Sequence, residues 1–154
     1  MAKLAIGGKV PDFTLESTAG PWRPKSAAGH ALVLYFYPRD NTSGCTREGE
    51  AFRDRHAEFR RAKAVIIGVS TDSLASHLKF KAKYRFPFEL LSDPEQKACA
   101  IFDVIKEKSM YGKRYVGVER STFLIDAKGV LRAEWRKVKV DGHADEVLAA
   151  VRSL

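Results

Sequence analysis

The chain has 154 residues, 45% hydrophobic and 30% charged, a balance that fits one domain able to bury a core without covalent staples. Its 27 Lys and Arg against 19 Asp and Glu leave a net charge of +8, carried in part by RRAK, KFKAKYR and KEKSMYGKR. None of these stretches has the aromatic-glycine pattern or zinc-ligand spacing of a nucleic-acid module, so they read as solvated basic faces.

Two cysteines exclude a disulfide framework, and the longest apolar run, residues 31–37, is too short to cross a bilayer. MAKLAIGGKVPDF lacks the apolar centre of a signal peptide. The expectation is one domain over residues 1–154, cytoplasmic, with free thiols.

In chain order, DFTLEST (12–18) alternates like a short strand and runs into a turn-rich stretch. ALVLYFY (31–37) is a continuous apolar run closed by Pro38, the pattern of a central strand buried on both faces. Residues 46–62 predict a helix with Ala51, Phe52, Phe59 and Ala62 on its apolar stripe. AVIIGVS (64–70) predicts a second buried strand. TDS then offers N-caps to a helix with Leu74, Leu78 and Ala82 on one face. FPFELLS (86–92) is a third strand, and DPEQKACAIFDV starts a helix. YVGVERSTFLID and VLRAEWRKVKV flank AKG as an antiparallel hairpin, and residues 144–152 close the chain as an amphipathic helix. Alternating strands and helices with a late hairpin predict an α/β fold with a mixed central sheet and helices on both faces; by analogy, that arrangement resembles a thioredoxin-like domain.

Cys45 sits between a turn and a charged, helix-like run, in one of the least apolar segments of the chain. A cysteine is nucleophilic as thiolate, which requires positive charge or donors around the sulfur. The first turn of a helix supplies unpaired N–H groups and the positive end of its dipole. Gly44 and Ser43 let the backbone approach, and Thr42 can bring a hydroxyl beside the sulfur.

PRDNTSGC has the peroxiredoxin spacing of Pro, Thr and reactive Cys. YFYPRDNTSGCTREGEAFRD, LLSDPEQKACAIF, EKSMYGKRYVGVERSTFLID and GGKVPDFTL extend the likeness, in order, over nearly the whole chain. The chain resembles the bacterioferritin-comigratory, or Q-type, peroxiredoxins. That resemblance implies a thiol-dependent peroxidase acting on hydrogen peroxide and organic hydroperoxides. Cys45 is then the peroxidatic cysteine, Thr42 the hydroxyl that binds peroxide, Pro38 the shield of the thiolate, and Arg120 the strand arginine that supports thiolate and peroxide together. It implies no cofactor or metal, a reducing partner such as thioredoxin, glutaredoxin or glutathione, and a monomer. Glu48 matches a family carboxylate that hydrogen-bonds within the loop, but equally fits an ordinary glutamate near a helix start.

Resolving cysteines of such proteins lie five residues after the reactive one or near position 81; here those positions are Glu50 and Lys81. Cys99 is the remaining thiol. It reads either as a small core residue beside Ala98, Ile101 and Phe102 or as an atypical resolver, and the first reading makes the enzyme one-cysteine.

Other classes fit less. TSGC lacks the first cysteine of a disulfide-exchange motif. A cysteine protease would need His56 or His77 beside Cys45, and the four histidines lack ligand spacing. A basic nucleic-acid or chaperone-like binder rests on the net charge alone.

Overall fold

The computed structural model describes residues 4–154. Its centre is β3 (Ala31–Phe36) and β4 (Ala64–Ser70), the two most apolar runs of the chain, paired in parallel from Ala31 opposite Ala64 to Phe36 opposite Val69. β5 (Glu89–Ser92) extends β4 in parallel, and β1 (Leu15–Ser17) and β2 (Gly20–Trp22) close that edge antiparallel. On the other side β8 (Ser121–Ile125) and β9 (Leu131–Trp135) add antiparallel strands, giving the order β2-β1-β5-β4-β3-β8-β9. The expected mixed sheet is present.

Alternation along β3 divides the core in two. Leu32, Leu34 and Phe36 point to one face, where Phe13, Trp22, Phe102, Val104 and Cys99 bury against them. That face is covered by the N-terminal segment and α4 (Lys97–Ile101). Val33 and Tyr35 point to the other, together with Cys45, Phe52, Phe59, Phe80 and Val147. This second face lies under α1 (Ser43–Asp54), α2 (His56–Arg61), α3 (Leu74–Tyr84) and α5 (His143–Arg152).

Four expectations change in detail. The helix foreseen over 46–62 begins three residues earlier and breaks at Arg55, where the backbone leaves helical geometry and the guanidinium turns to Asp145 of α5 at 2.8 Å. On α3 the inward stripe is His77 and Phe80, while Leu78 is 49% exposed and Ala82 also faces solvent. Two aromatic rings, one with polar partners, win the buried face over a thinner Leu–Ala stripe. The strand foreseen over 86–92 is confined to its last four residues, with Phe86 and Phe88 buried ahead of it. YVGV does not lead into the late hairpin. It belongs to β7 (Lys113–Val118), paired with an unforeseen strand, β6 (Ile105–Met110), in a separate two-stranded ribbon. No helix of the described residues is long and apolar enough to cross a membrane.

Candidate active site

Cys45 occupies the first turn of α1, for which Thr42 is the N-terminal cap. The first bond of this turn runs from Thr46 N–H to the Thr42 carbonyl at 2.9 Å, so the amides of Ser43, Gly44 and Cys45 precede the helical ladder and point out of its end. The sulfur is not in polar surroundings, as its sequence neighbours suggest. Cys45 is 2% exposed and belongs to the core cluster containing Tyr35 and Phe52, whose rings stack at 4.8 Å. Polar neighbours in sequence become apolar neighbours in space because β3 passes beneath the helix end.

One polar group reaches the sulfur from the far side. Arg120 Nη2 donates to Cys45 Sγ at 3.4 Å, while Nη1 of the same guanidinium donates to Glu48 Oε1 at 2.7 Å. Arg120 lies in the irregular link between β7 and β8, not on the strand assigned to it from sequence. Its partner Glu48, one turn along from Cys45, is 1% exposed. The planar fork thus spans thiol and carboxylate at once, which a lysine amine cannot reproduce. Gly44 makes room for it: a Cβ there would lie 3.0 Å from Arg120 Nη2.

Glu48 Oε2 has no hydrogen-bond partner among the described residues. Burial pushes the Glu48 carboxyl up to about 7, with Arg120 pulling it back. A carboxyl raised in the folded state favours the protonated protein. Its contribution to stability is therefore complete below its ordinary value of 4.5 and lost as pH rises through about 7. His143, buried beside Thr122 Oγ1 at 2.8 Å, acts in the opposite direction. Burial lowers it from 6.5 to about 4, so its contribution is present above 6.5 and fades as pH falls through 4. Glu48→Gln is expected to remove only the first effect. The stability of the variant relative to the parent should climb between about pH 5 and pH 8, by about 3 kcal/mol in all. Denaturant unfolding across that range checks it; a constant difference would show that Glu48 does not titrate there.

Pro38 is half-buried where the chain leaves β3, and Thr42 is exposed, its hydroxyl donating to the Arg39 carbonyl at 2.8 Å. Between them the loop is moored by groups that carried no sequence signal. The buried Asp40 carboxylate accepts from Tyr37 Oη at 2.6 Å and Ser76 Oγ at 2.7 Å, and meets His77 Nδ1 at 2.7 Å. His77 Nε2 reaches the Leu91 carbonyl at 2.8 Å, and the Asp40 amide donates to Asp72 at 2.9 Å. Asp40, Asp72 and His77 converge closely enough to resemble a ligand set, yet each is engaged in these hydrogen bonds. The cluster ties the loop to α3 and β5.

Cys99 lies elsewhere. It is fully buried in α4 on the opposite face of the sheet, its amide donating to Asp93 at 2.9 Å. Burial, and then the Asp93 carboxylate, push its thiol well above the usual range. Lys81, where some relatives carry a thiol, pairs with Glu89, and Glu50 faces Arg53 at 3.7 Å.

Residues 6–134 match the model of the AhpC/TSA family. Peroxiredoxin Bcp of Xanthomonas campestris pv. campestris is 55% identical over 153 residues, covering 99% of this chain and 96% of that protein. Peroxiredoxin Bcp of Bacillus subtilis is 49% identical over 152 residues, covering 98% and 97%. A solved structure of Xanthomonas campestris bacterioferritin comigratory protein superposes with a TM-score of 0.90 at 49% identity, covering 99% of this chain and 98% of that one. That structure was described through trapped intermediate and ligand complexes bearing on alkyl peroxide reduction. The thioredoxin-like fold and 49–55% identity thus extend over nearly the whole chain, which belongs to the peroxiredoxins of the AhpC/TSA family, in their Bcp or Q branch.

Proposed function

We propose that this chain is a thiol-dependent peroxidase of one-cysteine type, reducing hydrogen peroxide and organic hydroperoxides through Cys45. The observation that carries the reading is the guanidinium of Arg120 donating to a sulfur set in the first turn of a helix. The Cys45 thiolate attacks one peroxide oxygen and the O–O bond breaks. Sulfur is oxidised to the sulfenic acid, and the departing RO⁻ takes a proton from solvent to leave as ROH. Negative charge moves from sulfur to the leaving oxygen. Donors already fixed around the pocket (the Arg120 fork and the first-turn amides) therefore favour the transition state over bound peroxide. Thr42 has committed its hydroxyl proton to the Arg39 carbonyl, which leaves its oxygen lone pairs to accept the peroxide O–H. Pro38 closes the strand side of the loop.

Cys99 supports the one-cysteine form. A resolver must bring its sulfur to bonding distance of Cys45, and the central sheet lies between the two cores that hold them. A thiol pushed up in this way is also a poor source of attacking thiolate. Glu48 acts as the support of Arg120, an external thiol restores Cys45, and a reducing cytoplasm suits both free cysteines.

Intact mass after one equivalent of hydrogen peroxide, measured on reduced parent protein and on Cys99→Ser, tests the reading. One added oxygen in both is expected. Loss of two hydrogens in the parent, with oxygen gain only in the variant, would make Cys99 the resolver. No change in either would overturn the peroxidase itself.

A further inference from the structure

His77 is a buried titratable group that the mechanism above leaves unused, and its bonds lead back to the peroxide pocket. It is 0% exposed on the inner face of α3, and both of its ring nitrogens meet acceptors. Nε2 faces the Leu91 carbonyl of β5 at 2.8 Å, so it carries a hydrogen. Nδ1 faces Asp40 Oδ2 at 2.7 Å. Burial works to raise the Asp40 carboxyl, yet the hydrogen bonds from His77, Tyr37 and Ser76 prevail and hold it below the usual carboxylate range. An ionised Asp40 only accepts, so Nδ1 carries a hydrogen as well. One ring thus ties α3 to β5 on one side and to the loop on the other.

The tie does not end at the Asp40 side chain. The Asp40 amide and the Arg39 carbonyl belong to a single planar peptide, so neither can turn without the other. The amide donates to Asp72 Oδ2 at 2.9 Å, an oxygen that also accepts from Ser70 Oγ at 2.5 Å. The carbonyl accepts from Thr42 Oγ1 at 2.8 Å. Among the described residues this is the one side-chain bond of Thr42, which is otherwise exposed, so the 39–40 peptide alone sets the direction of its hydroxyl. Arg120 reaches Cys45 by a separate route, from the link between β7 and β8.

Building on the peroxidase reading, in which Thr42 accepts the peroxide O–H, we propose that His77 is a positioning residue of the peroxide step. It holds Asp40; Asp40 and Asp72 together set the plane of the 39–40 peptide; the carbonyl of that peptide aims the Thr42 oxygen. The peroxide O–H must meet this acceptor while the sulfur meets the peroxide oxygen, and small misplacements of such a group cost rate steeply. The influence of His77 therefore falls on the peroxide and not on the thiolate.

The test follows oxidation by hydrogen peroxide in His77→Gln, Thr42→Val and the double variant. A glutamine amide carries both hydrogens on one nitrogen, so it cannot span Asp40 and Leu91 as the ring does. Each single variant is expected to slow oxidation about tenfold, and the double variant to slow no further, because both remove the same contact. Alkylation of Cys45 by iodoacetamide needs no acceptor for a peroxide proton and is expected not to slow in His77→Gln. Tyr37→Phe deletes one donor to Asp40 and should give a smaller loss, again absent in the Thr42→Val background; it carries the test where His77→Gln does not fold. Losses that multiply in the double variant, alkylation slowed as much as oxidation, or parent-rate oxidation in folded His77→Gln would overturn the positioning role. Failure of the parent protein to gain oxygen would instead overturn the peroxidase reading on which it rests.

Discussion

Arg120→Ala is expected to slow oxidation of Cys45 by hydrogen peroxide by about 10²–10³-fold, the usual consequence of removing one preorganised donor from a developing negative charge. The same substitution should destabilise the fold, because it strips the counter-charge from a carboxylate that is 1% exposed. Breaking a buried pair costs about 3–5 kcal/mol while the remaining group stays charged. Here the remaining group can escape by taking a proton, since burial already pushes Glu48 up to about 7. The penalty should therefore be small in mild acid and grow above neutrality, which denaturant unfolding at two pH values would show. Arg120→Lys restores a charge but not a fork that reaches Sγ and Oε1 together, so most of the rate loss should remain. Stopped-flow oxidation kinetics that do not change in Arg120→Ala would remove the arginine from the peroxide step.

Cys45→Ser is expected to abolish peroxide consumption while leaving the fold intact. The hydroxyl replaces the thiol at nearly the same size and still accepts from Arg120 Nη2, so no donor is orphaned. The chemistry does not transfer. A serine hydroxyl is not ionised near neutrality, and oxygen has no counterpart to the sulfenic acid state. Peroxide consumption at the parent level in this variant, with unfolding behaviour unchanged, would place the reaction at another residue.

Legibility differed from element to element for physical reasons. β3 and β4 announce themselves because strands buried on both faces need unbroken apolar runs, and ALVLYF and AVIIGVS are such runs. β6 escaped notice, and β7 was read as an arm of the late hairpin, because KEKS and KRY have little core side to impose alternation. Cys45, Thr42 and Pro38 were singled out by the resemblance of one loop to the peroxiredoxin signature, and the structure gathers that loop at the start of α1. The partner of Arg120 was not, since Glu48 is 72 residues away in sequence and, by local criteria, equally an ordinary glutamate near a helix start. Asp40 and His77 gave no warning at all: a lone aspartate in a turn and a lone histidine on a helix acquire meaning when the sheet brings them within 2.7 Å.

That mooring decides where the loop can pivot. Upstream, Asp40 is held by three side chains and by its own amide, so the chain from β3 to Asp40 is a fixed post. Downstream, Gly49 sits against the Phe86 ring so closely that a Cβ would lie 2.5 Å from it, which clamps the second turn of α1. The span between them contains Asn41, already in the left-handed region at φ 63°, then Thr42 and the turn bearing Cys45. A span of about eight residues, 41–48, thus lies between two fixed points, and a bulky reductant of an oxidised Cys45 would have to gain its access there rather than through the sheet or α3.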